Sequence, residues 1–431
     1  MAGPLVRYFL ESPDSSVTVA DVVPDKAKAM VGRHPRGRAI GLDMADDSRL
    51  KKEVESADIV VSLVPNAFHP LIARICVDLK KNMVNASYVS EAMNDLDDEA
   101  RNAGVVILNE VGLDPGIDHM EAMRVIQQVK AGGGKILGFT SYCGGLPAPE
   151  ANTNPFGYKF SWSPRGVLLA GKSAARYLKG GKEVFVPGEE LFENYAMITV
   201  PGLGEFEGYP NRNALPYIEL YGIPETQTMF RGTLRYPGWC ETLKKIGEIG
   251  LLDQAEKNLG GMTYQRFVRS ILGMPADWNI KKVLRERLKL RPDSKVIERL
   301  EWLGLFDEER IPAERGSALD VLENLMLKKL RYDKGERDMI VLRHEFITAG
   351  ADGSRKRSTS TLIDYGLPDG DSSMARTVGL PAAIAAKMVL EGKIKRTGVL
   401  VPVYPEIYGP VLDELAGLGI VFKEEKENGS P

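Results

Sequence analysis

Residues 59–85 read IVVSLVPNAFHPLIARICVDLKKNMVN and contain two short apolar stretches separated by a longer one. The stretch 59–63 is β-branched and continuous, as is typical of a strand buried on both faces, and 83–85 repeats that character. Between them, residues 71–80 place apolar side chains at helical spacing. Two parallel strands need such a crossover helix, so this segment predicts one β-α-β unit of a parallel sheet.

The same rhythm extends outward to both sides of this unit. Further strands are predicted at residues 17–20, 39–42 and 105–108, and further helices at 5–11, 25–31, 49–55 and 93–103. Alternating strands and helices predict an α/β domain with a doubly wound, Rossmann-like parallel sheet. In such a sheet the ligand crevice lies outside the carboxyl ends of the strands, so the residues after each strand are the candidate binding residues.

The pattern changes after residue 118. A helix is predicted to about residue 129, followed by strands at 135–143, 183–187, 198–209 and 229–236 and a helical stretch at 237–330. Strands at 339–347 and 356–364, a helix at 382–390, a strand at 399–403 and a helix at 411–418 follow. The polar tail from Lys423 is predicted to be frayed.

These elements predict a division of the chain by function. Residues 1–118 are assigned to dinucleotide binding, 119–236 with 337–372 to an α+β substrate-binding domain, 237–336 to a helical insertion, and 373–431 to a return into the first domain. A chain of 431 residues is long enough for several such domains.

Composition excludes several classes of function. The chain carries 59 acidic and 56 basic residues, a formal net charge of -3, without a block of like charge, so a nucleic-acid partner is not expected. No apolar run reaches the roughly 18 residues of a membrane span, so no membrane partner is expected and the protein is predicted to be cytoplasmic. The three cysteines are too scattered for a disulfide framework or a zinc site, and no metal site is predicted.

The beginning of the chain leaves little room for a glycine-rich turn. A dinucleotide fold normally opens with a strand and a glycine turn that meets the pyrophosphate at a helix start. Here residues 5–11 already have helical character, so we expect the first strand and most of that turn to be absent. Gly3 is interpreted as the remaining third glycine and Pro4 as the first helical residue.

Three residues after strands are predicted to contact the dinucleotide. Asp21 ends the strand that follows the first helix, where an acidic residue can bond the adenosine ribose, and its charge would repel a 2'-phosphate. The expected cofactor is therefore NAD, with NADP less favoured. The alternative is that Asp21 caps the next helix. Asp43 is placed near the adenine and Val64 along the nicotinamide ribose.

Several long motifs resemble those of one enzyme family. They are Ser62–Pro65 (SLVP), Ser87–Val89 (SYV), Asn109–His119 (NEVGLDPGIDH), Ser141–Glu150 (SYCGGLPAPE), Tyr158–Gly166 (YKFSWSPRG), Tyr209–Arg212 (YPNR), Arg231–Tyr236 (RGTLRY) and Ile407–Pro410 (IYGP). In this order and over nearly the whole chain, they resemble the saccharopine dehydrogenases of the glutamate-forming type. Fungal biosynthetic members have a basic residue where this chain has Asp21 followed by Val22, a difference that favours NAD.

The resemblance implies oxidation of saccharopine to L-glutamate and 2-aminoadipate 6-semialdehyde in lysine degradation, or the reverse reaction in lysine biosynthesis. The family resemblance also allows a homodimer. Two alternatives stay open. One is a related enzyme acting on carboxynorspermidine or homospermidine, and the other is a catalytically impaired homologue that lacks the glycine turn.

The resemblance also implies a set of site residues. Those expected to border the nicotinamide are Ser87, Leu113, Asp114, Pro115 and Ser163. Those expected to hold the substrate are Ser87, Tyr88, Arg212, Arg231, Gly232 and Thr233. Arginines suit this role because saccharopine carries three carboxylates and a guanidinium can bind each through two parallel hydrogen bonds.

Three residues are predicted to take part in proton transfer. Asp114 lies in the turn Gly112–Gly116, which would expose its carboxylate, although it could instead cap the following helix. Tyr88 suits a hydrogen-bond donor better than a base, because its ordinary pKa is about 10. Cys143 lies beside two glycines, where a backbone can approach a ligand, but a buried cysteine is more often a packing residue. His119 is the alternative acid–base group.

Overall fold

The computed structural model describes residues 1–427. The chain forms two compact units, the first built from residues 1–136 and from 347 onward and the second from residues 137–346. The assignment of stretches of the chain to cofactor and substrate binding stays a prediction. Among residues 1–427, no helix combines the length and the apolar composition that a membrane crossing requires.

The N-terminal part of the first unit alternates helices and short strands. Its helices are α1 Ala2–Glu11, α2 Pro24–Val31, α3 Asp47–Glu55, α4 His69–Asp78, α5 Glu91–Asn94, α6 Asp97–Ala103 and α7 Ile117–Ala131. Its strands are β1 Val17–Asp21, β2 Gly37–Gly41, β3 Ile59–Ser62, β4 Asn82–Asn85 and β5 Val106–Leu108.

The second unit combines a sheet with a group of helices. Its strands are β6 Lys135–Pro147, β7 Ala175–Lys179, β8 Lys182–Val186, β9 Ala196–Val200, β10 Gly204–Pro210, β11 Thr228–Arg235, β12 Lys257–Asn258, β13 Arg315–Gly316 and β14 Asp338–Ala349. Its helices are α8 Pro164–Ala170, α9 Pro216–Leu220, α10 Trp239–Ile249, α11 Tyr264–Leu272, α12 Ile280–Arg287, α13 Val296–Leu303 and α14 Ala318–Lys329.

The chain then completes the first unit. These last elements are β15 Arg355–Tyr365, α15 Ser373–Leu390, β16 Gly398–Leu400, α16 Pro405–Gly417 and β17 Phe422–Glu427. The prediction of a frayed tail from Lys423 is wrong for the residues up to 427, because β17 pairs antiparallel with β15 and places Lys423 opposite Thr361. The rest of that tail lies outside the described residues.

The parallel strands of the first unit form two sheets. One contains β1 and β2, and the other has the order β16-β5-β4-β3. Within residues 1–427, neither β1 nor β3 has a second strand partner. The prediction of an α/β parallel fold is confirmed. Since parallel strands end at one edge of their sheet, the loops after β3, β4 and β5 share one edge.

The central strands of the first unit are apolar because their side chains are buried in its core. Met83 and Ile107, from β4 and β5, are fully buried, and Ile72 and Ile75 of α4 pack into the same cluster. Burial of whole side chains of this size stabilises by about 2 kcal/mol each. The packing thereby fixes the strand ends from which the site is built.

The sheet of the second unit brings distant segments into register. β11 pairs parallel with β6, so that Arg231 lies opposite Ser141 and Thr233 opposite Cys143. On its other side β11 pairs antiparallel with β10, which places Tyr209 opposite Thr233. The stretch 198–209, predicted as one strand, is two antiparallel strands, β9 and β10. The segment Pro201-Gly202-Leu203 supplies the turn between them.

Candidate functional site

A histidine links two of the strand ends in the first unit. His69 Nδ1 lies 2.9 Å from Ser62 Oγ at the end of β3, and His69 Nε2 lies 2.9 Å from Ser87 Oγ in the loop after β4. A neutral imidazole has one donor and one acceptor nitrogen, so one serine donates to the ring and the other accepts from it. The arrangement fixes the Ser87 hydroxyl.

His69 remains neutral at ordinary pH. Its ring is almost fully buried, and this burial lowers the pKa of His69 to about 4. Burial disfavours the imidazolium because it removes the charge from water, and no carboxylate among residues 1–427 pairs with the ring. His69 was not predicted as a site residue. The only signal in the sequence was its position shortly after a central strand.

The Tyr88 and Asp114 side chains meet, as residues of one site would. Tyr88 Oη donates a hydrogen bond of 2.9 Å to Asp114 Oδ1, and both side chains are half-buried. At the start of α7, Asp118 Oδ1 accepts a hydrogen bond of 2.6 Å from the amide of Gly116. The φ of +149° at Gly116 closes this turn, and a side chain there would collide with the backbone of Gly112.

His119 is enclosed by acidic side chains. Its Nε2 lies 2.7 Å from Glu110 Oε2, its Nδ1 lies 3.7 Å from Asp118 Oδ2, and its ring is fully buried. Glu110 Oε1 in turn accepts from the amide of Val89, at 2.9 Å. The burial favours a structural role for His119, in which the Glu110 carboxylate supports the loop carrying Tyr88. No role was predicted for Glu110 from the sequence.

The residues predicted to contact the dinucleotide lie at several places in the first unit. Val64 follows β3 and is partly buried, and Leu113 and Pro115 are buried in the turn before α7. Gly3 lies inside α1, which begins at Ala2, so Pro4 is the third helical residue and not the first. This position tolerates proline because the first turn of a helix has no intrahelical acceptors for its amides.

The two predicted acidic contacts are engaged in local turns. Asp21 Oδ1 accepts from the amide of Val23 at 2.8 Å, and Asp43 Oδ1 accepts from the amide of Ala45 at 3.0 Å. Such turns are a common use of aspartate after a strand. Asp21 therefore lies in the turn that leads into α2, a role similar to the helix cap that was the alternative prediction for it.

The first unit has the chemistry to hold a dinucleotide. The start of α1 presents backbone amides that have no intrahelical acceptor, and the Arg7 guanidinium, which is paired with Asp371, lies near Gly3. Phosphates bind at helix starts of this kind. The Ser87 hydroxyl and the turn Gly112–Gly116 lie after β4 and β5, at the edge where a nicotinamide would be expected.

Arg231, Thr233 and Cys143 share one face of the sheet in the second unit. Side chains alternate along a strand, and residues in register point to the same side. Gly232 faces the other side, where an added Cβ would come within 2.9 Å of the Tyr142 ring. Glycine at this position therefore allows an aromatic ring to pack against the strand.

Arg212 lies next to Arg231 through the backbone. The amide of Asn211 donates to the Arg231 carbonyl at 2.8 Å, and Arg212 follows with a φ of +56° and an exposed side chain. The Arg231 guanidinium is buried and lies 4.4 Å from the centroid of the Tyr217 ring. Ser163 is the N-cap residue of α8, and its hydroxyl accepts a hydrogen bond of 3.3 Å from the Gly166 amide.

Comparison with known proteins gives the same family over the whole chain. The model of the saccharopine dehydrogenase NADP binding domain matches residues 1–108, and that of the saccharopine dehydrogenase C-terminal domain matches residues 112–420. The saccharopine dehydrogenase [NADP(+), L-glutamate-forming] of Saccharomyces cerevisiae is 42% identical over 99% of this chain and 97% of its own length.

A second relative and a solved structure agree. The mitochondrial alpha-aminoadipic semialdehyde synthase of Rattus norvegicus is 38% identical over 99% of this chain, which spans only 46% of that longer protein. The solved structure of apo histidine-tagged saccharopine dehydrogenase (L-Glu forming) from Saccharomyces cerevisiae superposes with a TM-score of 0.90 at 40% identity, covering 99% of this chain and 97% of the other.

The comparisons correct the predicted cofactor. The fungal relatives are named as NADP(+) enzymes and the matching N-terminal family model is that of an NADP binding domain, so the prediction of NAD is wrong. That prediction required the Asp21 carboxylate to face the ribose. In the structure the carboxylate bonds the Val23 amide instead. The motifs, the fold and the matches along both units agree, and the chain belongs to the saccharopine dehydrogenase family.

Proposed function

We propose that this protein oxidises saccharopine to L-glutamate and 2-aminoadipate 6-semialdehyde with NADP. The observation that carries the proposal is the similarity to an L-glutamate-forming enzyme over 97% of that enzyme's length. These two products require that the oxidised carbon is the lysyl ε-carbon. The C–H hydrogen leaves as hydride, the N–H as a proton, and water splits the resulting imine. NADP, when bound, accepts the hydride.

The protein must first hold three carboxylates. Arg231 and Arg212 are adjacent through the hydrogen bond between Asn211 and the Arg231 carbonyl, so the two arginines come from neighbouring segments, one inside β11 and one just after β10. The Tyr217 ring restrains the Arg231 guanidinium in one plane, which preorganises it for a two-pronged contact. Thr233, two residues further along β11, adds a hydroxyl on the same face.

The Tyr88–Asp114 pair is proposed to handle the proton. Because Tyr88 donates to Asp114, the carboxylate is the group of the pair that accepts a proton. Ser87 is the preceding residue, and its hydroxyl is oriented by the neutral ring of His69. Cys143 lies on the sheet face of Arg231 and Thr233 and is proposed to contact substrate, without a covalent step.

The NADP phosphate on the ribose needs a cation after β1. Lys26 lies in the first turn of α2, shortly after Asp21, is exposed, and forms no ion pair within the described part of the chain. Lys28, by contrast, is paired with Asp25 at 2.9 Å. We therefore propose that Lys26 attracts the 2'-phosphate.

The proposal is tested with purified protein, saccharopine and NADP. NADPH formation is followed by absorbance, and glutamate is measured in the same reaction. We expect one glutamate per NADPH and much slower turnover with carboxynorspermidine, which lacks the three carboxylates that the arginines would bind. Equal turnover of carboxynorspermidine would favour the polyamine alternative.

A further inference from the structure

Arg235 is a buried cation in the second unit to which no role was assigned. Its side chain is only 6% exposed, although arginine is seldom buried without a partner. The guanidinium carbon lies 4.9 Å from the centroid of the Tyr158 ring and 5.5 Å from that of Trp239. The two aromatic rings restrict where the guanidinium can point.

No carboxylate neutralises this guanidinium within residues 1–427. Its hydrogen bond to protein is the one that Nη1 donates to the Leu234 carbonyl at 2.8 Å, and Nε has no acceptor. Glu207 lies opposite Arg235 in register, but its carboxylate oxygens accept from the amides of Gly238 and Cys240, at 2.6 and 2.7 Å. The carboxylate on the residue opposite Arg235 therefore serves the start of α10.

The nearby tyrosine cannot supply the missing negative charge. Burial raises the pKa of Tyr209 to about 12, so this phenol is neutral at physiological pH. An unpaired buried charge costs several kcal/mol, and a structural role alone would be met at lower cost by an apolar side chain. The cation stacked on the two rings therefore suits an anionic ligand.

The position of Arg235 connects it to the proposed substrate residues. Arg231, Thr233 and Arg235 alternate along β11 and face the same side of the sheet as Cys143. Ser141, in register with Arg231, also places on this face a buried hydroxyl that has no partner among residues 1–427. The face thus carries a row of cationic and hydroxyl groups.

We propose that Arg235 binds one of the three carboxylates of saccharopine, in addition to those held by Arg212 and Arg231. The inference rests on the proposed function and adds a substrate-binding residue to it. The Arg235 guanidinium would donate charge-assisted hydrogen bonds to that carboxylate, while the rings of Tyr158 and Trp239 hold the guanidinium in place.

The test compares Arg235→Gln and Arg235→Lys with Arg299→Lys. Arg299 is a suitable control because it also lies near α10, but its guanidinium is satisfied by the carbonyls of Pro155 and Gly238 and by Thr242. We expect Arg235→Lys to raise KM for saccharopine at least about tenfold, because lysine keeps the charge but loses the fork, with KM for NADP unchanged. Arg299→Lys should leave both KM values near those of the wild type. Lysine also retains an apolar stem, so this variant should fold even if Arg235→Gln does not.

Three saccharopine analogues, each with one carboxylate replaced by a carboxamide, show whether the contact is direct. Binding is measured by calorimetry, without turnover. One of the three amides lacks the carboxylate that Arg235 would bind. In the Arg235 variants, that amide should have the same Kd as saccharopine, to within about twofold. The other two amides should lose affinity by the same factors as they do in the wild type.

Two results would overturn the inference: wild-type KM in both variants, or equal weakening by all three amides in variant and wild type. A wild-type protein that binds no saccharopine would overturn the proposed function itself.

Discussion

Single side chains decide how the proposed substrate is held, and Arg212 allows a direct test. It is exposed, so its loss should not disturb a core. Replacing Arg212 by lysine keeps the charge and removes the planar fork. We expect KM for saccharopine to rise at least about tenfold, or ~1.4 kcal/mol, with KM for NADP unchanged.

Arg176→Lys is the matched control for this change. Arg176 donates its amide to the Arg212 carbonyl, but its own guanidinium pairs with Glu183 in solvent. Its exchange should leave KM for saccharopine unaltered. If the Arg212 and Arg176 variants behave alike in steady-state kinetics, Arg212 is not a substrate residue.

Lys26 is the second residue with a defined expectation. If its ammonium attracts the 2'-phosphate, Lys26→Ala should raise KM for NADP several-fold, and the difference should shrink at high salt because the charge is exposed. Lys28→Ala, which removes a lysine already paired with Asp25, should leave KM for NADP close to that of the wild type. Identical effects of the two substitutions would show only a general loss of positive charge.

His69 makes the stability of the protein depend on pH. Burial holds the pKa of His69 near 4, below its unfolded value of 6.5, so between these values the unfolded chain binds a proton that the native state does not. Stability is therefore present above pH 6.5 and is lost as the pH falls towards 4. The contribution lost between pH 7 and pH 5 is about 2 kcal/mol.

Urea unfolding of the wild type and of His69→Gln at these two pH values measures that contribution. The variant should lose less stability than the wild type between pH 7 and pH 5, by about 2 kcal/mol. An equal loss in both proteins would mean that another group causes the acid sensitivity.

At the scale of elements, the start of α10 depends on an acidic side chain from a neighbouring strand. Glu207 of β10 accepts from the amides of Gly238 and Cys240, which are among the first amides of the helix. Glu207→Gln replaces one acceptor oxygen by an NH2 group and removes the charge that interacts with the helix dipole. We expect the free energy of unfolding to fall by about 2 kcal/mol.

Glu248→Gln provides the comparison for this helix. Glu248 is exposed on α10 and pairs with Lys245, so its change should cost less than about 0.5 kcal/mol. Chemical denaturation of both variants gives the two values. A similar small effect at Glu207 would remove its capping role.

Element types were more predictable than element boundaries. The parallel strands of the first unit could be predicted because buried apolar runs such as 59–63 need no distant partner to be recognised. The helix predicted at 382–390 instead begins at Ser373, because Ser372 caps it and Pro381 is accommodated inside it. The helix predicted at 93–103 is two helices, with a break before Asp97.

Site residues could be predicted where they belong to a sequence motif, but not where their role depends on a contact between distant segments. Asp114 and Tyr88 come from separate motifs, and the structure shows them hydrogen-bonded. His69 had no motif of its own, because its importance depends on Ser62 and Ser87 at the ends of two strands. Arg235 was part of a quoted motif, but Tyr158, one of the two rings beside its guanidinium, is distant in sequence.

At the scale of the whole molecule, the property that matters most is the reaction that the protein catalyses. The family is established along both units, while the oxidised bond and the cofactor are proposals. The most direct measurement uses saccharopine with both hydrogens of the lysyl ε-carbon replaced by deuterium, incubated with NADP and analysed by mass spectrometry. We predict one deuterium in NADPH, one in the aldehyde of 2-aminoadipate 6-semialdehyde, and unlabelled glutamate. Formation of lysine and 2-oxoglutarate, with both deuterium atoms retained in lysine, would contradict the account.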